Sequence, residues 1–277
     1  HSIYKKSKTQ PIHNGVKNKK QQIREFKHMN KKEQELIRKI TSKANAHHAT
    51  TLQSFFKTKK GEYGYVDIFL GVKVPLLRKI SKNYEELSFV QIRKLLESPI
   101  HEIRFCGLII LIKKYERAIK NNDVLKQKEI FTFYIQEIKN INSWDLVDVS
   151  AAKIIGHFVY YNKAFQKELI KLSLSKNMWE QRIAIVATHY FIKRQNFTLT
   201  LRFAKQNIIH EHDLMHKATG WMLREVGKQN KEILNIFLKK HAQHMPRVML
   251  RYAIEKHSED EQKKYLAIKY KQKINKK

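Results

Sequence analysis

This chain predicts an all-α fold, a superhelical stack of antiparallel helix pairs, on the strength of three observations. Glycine and proline are scarce, eight and four among 277 residues, which leaves too little turn chemistry for a protein of many short strands. Apolar residues recur at three- and four-residue spacing through most of the chain, the period of helices with a buried face. The helical segments also come in pairs. Aligning the second member of each pair on its small and apolar residues puts Arg104, Asp148, Arg182, Lys217 and Arg251 in one register, with gaps of 44, 34, 35 and 34 residues. A repeat near 35 residues is the mark of an α-solenoid, in which each pair buries its apolar face against its neighbours.

Taken in order, residues 1–30 are polar and basic without an apolar period, and read as a flexible arm or a poorly ordered first helix. The helical pattern begins at "KKEQELIRKITSKA", so the repeat domain is expected over 31–267, followed by a basic tail over 268–277. "HHATT" (47–51) reads as a solvated turn. "KTKKGEYGYVDIFLGVKVP" (57–75) holds three of the eight glycines and is the one long irregular segment. "SFVQIRKLLESP" opens on Ser88 as N-cap and stops before Pro99. Helices of three to five turns then follow: "HEIRFCGLIILIKKYERAIK", "KQKEIFTFYIQEIKNI", "SWDLVDVSAAKIIGHFVYY", "KAFQKELIKLSLSK", "WEQRIAIVATHYFIKRQ", "LTLRFAKQNIIHEH", "DLMHKATGWMLREVGKQ", "KEILNIFLKKHA" and "PRVMLRYAIEKH". Almost no strand is expected.

Lys and Arg number 56 against 25 Asp and Glu, a net charge of +31. Such a field attracts polyanions, nucleic acid foremost; a generally Lys-, Asn- and Ile-rich composition is the plainer source of it. The longest strongly apolar run, "FCGLIILI" (105–112), is too short to span a bilayer, and no segment reads as a signal peptide. A single cysteine, Cys106, excludes an internal disulfide framework and a cysteine zinc site, and its apolar surroundings suit a buried, inert thiol. A reducing, cytoplasmic setting is therefore expected. The fourteen histidines are scattered, and "HEH" (210–212) and "HAQH" (241–244) have no companion acid at ligand spacing, so no metal is expected. The lack of a glycine-rich phosphate loop disfavours nucleotide hydrolysis. No cofactor is expected.

If the shared register faces a concave wall, that wall carries four bases and one acid. The bases suit phosphate, and the positive surroundings would keep Asp148 ionised. Each of the three tryptophans has a charged residue about one turn on: Trp144 with Asp148, Trp179 with Arg182, Trp221 with Arg224. Trp179 suits the repeat core. Trp144 and Trp221 suit a groove, where an indole lies against sugars, bases or a cation. Asp145, in the first turn after an expected N-cap at Asn142, is placed to meet free amides and the helix dipole. Asp148 lies beyond the reach of capping, which leaves it as the candidate for chemistry.

The motifs "FFKTKKGEYGYVDIFLGVKVPLLRK", "SPIHEIR", "NSWDLVD", "WEQRIAIV", "DLMHKATGWMLREVGK" and "MPRVMLRYAIEK" together resemble the HEAT-like-repeat DNA glycosylases of the DNA alkylation-repair family, from about residue 50 to 267. The resemblance implies a HEAT-like or ARM-type superhelix whose basic concave face holds duplex DNA containing alkylated purines and cuts the N-glycosidic bond of bases alkylated at N3 or N7. Motif by motif, it implies Asp148 as the catalytic acid with Trp144 beside it and Trp221 as a second indole of the site. It further implies Arg182 and Arg224 as DNA contacts, and either Tyr63 or Tyr65 as an N-terminal aromatic contact. One acid suffices for such a substrate, because an alkylated purine is already cationic and leaves without a proton donor, unlike an ordinary glycoside. The resemblance also implies a lesion left largely in the duplex, and the chain is expected to act as a monomer. The rival readings are a non-catalytic helical-repeat nucleic-acid-binding protein and a scaffold for an acidic protein partner.

Overall fold

Short polar residues set where the helices begin. Asn30, Asn45, Ser88, Asp123, Asn177, Asn230 and Ser258 each accept a backbone N–H at a helix start, and Asn30, Ser88 and Ser258 complete reciprocal capping boxes with Glu33, Gln91 and Glu261. The protein is seen here as a computed structural model that describes residues 30–65 and 67–271. The arm expected over 1–30 thus lies outside the described residues apart from Asn30, as does the tail beyond 271. Within the described part of that tail, the Lys271 N–H donates to the Gln243 carbonyl over 2.7 Å.

The helices are α1 (Lys31–Thr41), α2 (Ala46–Phe55), α3 (Val74–Ser81), α4 (Phe89–Leu96), α5 (His101–Lys120), α6 (Val124–Gln136), α7 (Trp144–Ala151), α8 (His157–Tyr161), α9 (Gln166–Ser173), α10 (Met178–Ala187), α11 (His189–Ile192), α12 (Thr198–Asn207), α13 (Asp213–Gln229), α14 (Lys231–His241), α15 (Arg247–Ile254) and α16 (Glu259–Ala267). The only extended pairing among the described residues is a parallel bridge between Ile68 and Ile100, so the all-α expectation holds. Local expectations fail in places, and the stretch expected as one helix over 179–195 divides at Thr188 into α10 and α11. Residues 47–51 are helical, within α2, because the Asn45 side chain caps that turn and His48 Nδ1 lies 2.7 Å from the Gly71 carbonyl oxygen. The stretch expected as one helix over 143–161 is interrupted by a π-helical turn, Ala152–Gly156, which joins α7 to α8 and inserts an extra residue into the hydrogen-bond ladder.

α5 is the core. Its 20 residues span about 30 Å at 1.5 Å each, and it is buried from His101 to Ile112, with an apolar run from Phe105 to Ile112. Cys106 sits fully inside, and burial pushes its thiol up to about 12, which makes it the inert thiol expected. The second helices of the pairs start at His101, Trp144, Met178, Asp213 and Arg247, which are 43, 34, 35 and 34 residues apart. Each packs on the next: α5 on α7, α7 on α10, α10 on α13, α13 on α15, while α4, α9 and α12 lie against their own partners. The sequence repeat is therefore a lateral contact, and side chains about 34 positions apart become neighbours.

One close contact of this kind is α13 against α15. A Cβ at Gly220 would lie 2.5 Å from the Met249 carbonyl oxygen and 2.5 Å from the Tyr252 Cβ, so the helices meet there only because position 220 has no side chain. Trp221 and Tyr252 are brought to one cavity as a result. Gly220→Ala is expected to destabilise the protein by about 1–3 kcal/mol, the usual cost of overpacking, despite alanine's better helix propensity. Urea unfolding followed by helical circular dichroism measures this.

Candidate active site

The first turns of α7, α10 and α13 converge on a cavity of about 670 Å³ lined, among others, by Trp144, Asp148, Arg182, Trp221, Arg224 and Tyr63. Asp148 stands one turn into α7, where the backbone of α10 places Arg182 opposite it, 34 residues away in sequence. Both carboxylate oxygens accept from the guanidinium, with Nη2 at 2.9 Å from each and Nε at 3.1 Å from Oδ1. The remaining arm, Nη1, donates to the Leu214 carbonyl at the start of α13 over 2.6 Å. Arg182 is 4% exposed. Rather than reaching out to a phosphate, as the resemblance implied, it ties α7, α10 and α13 together and orients the acid. All three of its Asp148 hydrogen bonds are of the charge-assisted kind.

Burial raises the Asp148 carboxyl above its ordinary value; the charge and hydrogen bonds of Arg182 oppose the rise and Asp145 adds to it. The expectation that cations alone would govern this group is corrected by that balance, since desolvation outweighs them. Arg104, placed in the same register by sequence, is buried and donates to Asp67 over 2.7 Å, so it faces no groove. Lys217 does line the cavity, paired at 2.7 Å with Asp213. Arg224 pairs with Glu255 and lies 3.6 Å from Glu225.

The aromatic residues separate clearly. The Trp144 indole stacks on Phe56 at 5.0 Å and 13° and meets the edge of Phe55 at 5.7 Å. Trp221 lies 5.7 Å from the His189 ring. Trp179 packs against the core, as expected, and its ring also contacts Tyr63 edge-on at 5.8 Å. Of the two candidate tyrosines, Tyr63 lines the cavity, whereas Tyr65 is 53% exposed and lies outside it. Burial raises the Tyr63 phenol, with a hydrogen-bonding interaction from the Trp144 indole working against the rise.

Several cavity residues carry no signal in the sequence. Phe55 lines the cavity and is 63% exposed while Phe56 beside it is buried. Lys57, exposed and in the left-handed region at φ 52°, also lines the cavity, as do His212 and Tyr252. Behind Trp144, the irregular segment is held by buried acids. The Glu102 carboxylate accepts from the backbone N–H groups of Leu70, Gly71 and Val72 at 2.7–3.3 Å. Gly71 has φ 81° and its missing Cβ would lie 2.2 Å from the Asn45 carbonyl oxygen, so only glycine fits.

His101 is the other unforeseen residue. Its Nδ1 lies 3.1 Å from Asp67 and its Nε2 2.7 Å from Asp145. Asp145 does stand in the first turn, but the N-cap is Ser143 rather than Asn142, and it makes no side-chain cap; the carboxylate of Asp145 instead holds the imidazole. Burial alone would lower His101, yet Asp145 and then Asp67 outweigh it and hold the imidazole up at about 9. Asp67 is likewise lowered against its burial by His101 and Arg104.

Among the described residues no cluster of three or more His, Cys, Asp or Glu side chains could hold a metal, and no helix is long and apolar enough to cross a membrane. A helix-pair stack with an acid, two indoles and guanidinium groups in one groove defines the class of protein. Within that class the model of the DNA alkylation repair enzyme family matches residues 36–257, and the chain belongs to that family. A protein described as a predicted DNA alkylation repair enzyme from Enterococcus faecalis superimposes with a TM-score of 0.61 at 17% identity, covering 78% of this chain and 98% of its own. AlkD2 from Streptococcus mutans aligns with a TM-score of 0.47 at 15% identity, covering 76% and 97%. No curated protein sequence gives a significant match. At 17% identity the likeness to the Enterococcus protein is one of fold.

A raised imidazole contributes stability that is fully present below its unfolded value near 6.5 and is lost as the pH climbs through about 9. Each tenfold change in proton affinity between the folded and unfolded chain is worth about 1.4 kcal/mol, so the loss is on the order of 3 kcal/mol. Urea unfolding midpoints measured from about pH 6 to 10 are expected to fall across that window, and the fall is expected to vanish in His101→Gln.

Proposed function

We propose that this protein is a DNA glycosylase that hydrolyses the N-glycosidic bond of purines alkylated at N3 or N7 in duplex DNA. The observation that carries the reading is the placement of one half-buried carboxylate, Asp148, held by both oxygens in a cavity walled by Trp144, Trp221 and Tyr63. An N-alkylated purine is a cation, and indole and phenol rings are its natural contacts. As the bond from C1′ to the base breaks, its electron pair leaves with the purine, which becomes neutral. Positive charge then develops on the sugar.

Asp148 is the acid that faces this charge and positions the water that adds to C1′, the water's proton passing to the carboxylate or to solvent. Arg182 holds it ionised and aimed, a role of orientation rather than of phosphate binding. Lys57, Lys217 and Arg224 supply positive charge at the cavity for the flanking phosphates, and the basic concave face expected from the sequence is part of this proposal. Phe55, exposed at the mouth, adds an apolar contact to the strand. The protein is proposed to work as a monomer, since the groove is built from a single chain.

The test is release of free base from duplex bearing N7-methylguanine or N3-methyladenine, corrected for spontaneous depurination. Wild type is expected to release base, and Asp148→Asn to lose about 10²–10³-fold in single-turnover rate, the range for removing one preorganised electrostatic group, while still binding duplex. Tight binding with no release by wild type would leave a non-catalytic DNA-binding repeat protein. Because burial raises Asp148, the acid limb of the rate is expected above the ordinary carboxylate value of 3.8; the active form is the carboxylate, so the rate falls as pH falls through that limb. Arg182→Lys is expected to move the limb further up, since a single ammonium cannot replace the bidentate contact.

A further inference from the structure

We propose that His101, outside the cavity, is a positioning residue for base release: clamped between Asp145 and Asp67, it fixes the turn of α7 that presents Trp144 and Asp148. The inference rests on the glycosylase reading for its kinetic part only. His101 is 3% exposed, and the cavity of about 670 Å³ is not lined by it, so it touches no substrate. Two routes lead from it to the site.

The first route is polar. Asp145 lies between Trp144 and Asp148 on the same helix, and its Oδ2 is 2.7 Å from the imidazole Nε2. On the other side of the ring Asp67 receives Nδ1 at 3.1 Å and the Arg104 guanidinium at 2.7 Å. Asp67 belongs to the irregular segment that delivers Tyr63, while His101 and Arg104 belong to α5. One imidazole therefore bridges the segment carrying Tyr63 to the helix carrying Asp148.

The second route is aromatic. The ring of His101 meets Phe69, 4.6 Å away at 24°, and the tilted ring of Phe56, 5.0 Å away at 51°, and those two phenyl rings touch each other at 4.8 Å. Phe56 is in turn stacked on Trp144 at 13°. The Trp144 indole thus rests on a phenyl ring that is itself set by a cluster of Phe69 and a protonated imidazole, and an aromatic ring favours a neighbouring cation over a neutral ring. Loss of the charge loosens both the Asp145 contact and the ring cluster.

The groups that face the imidazole are Asp145 on α7, Asp67 on the irregular segment, and Arg104 and Glu102 on its own helix. His48 of α2 and Lys73 line the small cavity of about 80 Å³ that it shares with Asp145. Two carboxylates bond it directly, which holds it protonated up to about 9; His48 makes its own contact to the Gly71 carbonyl.

The experiment uses the full chain in three forms: wild type, His101→Gln and Asp145→Asn. Indole N–H signals are followed by NMR, with Trp144 assigned through Trp144→Phe, together with single-turnover base release and duplex affinity. In wild type the Trp144 signal is expected to move as the pH rises through about 9. Both variants are expected to hold it displaced at neutral pH and to lose the titration. Their release rates are expected to drop on the order of 10²-fold, the cost of an ångström-scale misplacement, with duplex affinity close to that of wild type.

A Trp144 signal in wild type that does not titrate, or folded variants whose signal and rate match wild type, would overturn the proposal. So would a rate loss wholly explained by weaker duplex binding. The wild-type titration needs no substitution at His101, so it decides even where His101→Gln fails to fold. If wild type releases no base, the glycosylase reading fails, and the Trp144 signal alone decides the role of His101.

Discussion

Arg182 on α10 grips the carboxylate of Asp148 on α7 by both oxygens and the Leu214 carbonyl of α13 with its third nitrogen, so three successive second helices meet at one guanidinium. That contact constrains everything around it. A carboxylate in so sheltered a place is costly to ionise, and an unpaired one would take a proton and lose its use as a counter-charge. A freely exposed partner would be screened by solvent and counter-ions. A buried, planar, forked cation avoids both difficulties, and it also fixes the direction in which the acid points. The groove thus holds Asp148 in a strongly basic protein by giving it a private cation.

The geometry that permits this grip is the repeat. Because second helices recur every 34 or 35 residues from α7 onward and pack side by side, residues of equal register become lateral neighbours. Where two neighbours carry opposite charge, as at 148 and 182, they pair; where the register offers no side chain, as at Gly220, two helices close up and bring Trp221 and Tyr252 together. The same arithmetic explains Arg104, one residue short of the common helix offset. It turns inward to Asp67 instead of facing the groove.

A solenoid does not by itself supply the cavity's remaining wall. That wall comes from the irregular segment ahead of α3, which has few apolar anchors and is held by charge instead. Glu102 collects three consecutive backbone N–H groups, and Asp67 meets both His101 and Arg104. A loop fixed in this way has its backbone donors satisfied away from water, so Tyr63 is delivered to a defined place. The arrangement places buried charges behind the site and aromatic faces in front of it.

Much of this was legible in the sequence. Helical periodicity, capping residues and scarce glycine and proline are local properties, and they determined the all-α class, most helix limits, the near-35 repeat and the inert core position of Cys106. The repeat register and the tryptophan spacings also singled out Trp144, Asp148, Arg182, Trp221 and Arg224, and the family resemblance added Tyr63 or Tyr65; the structure brings all of these but Tyr65 to one cavity. What only the tertiary structure decided is which groups meet. That Arg182 holds Asp148, that Tyr63 rather than Tyr65 faces inward, that Phe55 is exposed where Phe56 is buried, and that Asp145 holds a histidine 44 positions away all depend on contacts between distant segments. A one-dimensional pattern carries the period of a helix but not its rotation against the next, and the balance of desolvation against ion pairing at Asp148 exists only once the helices have closed around it.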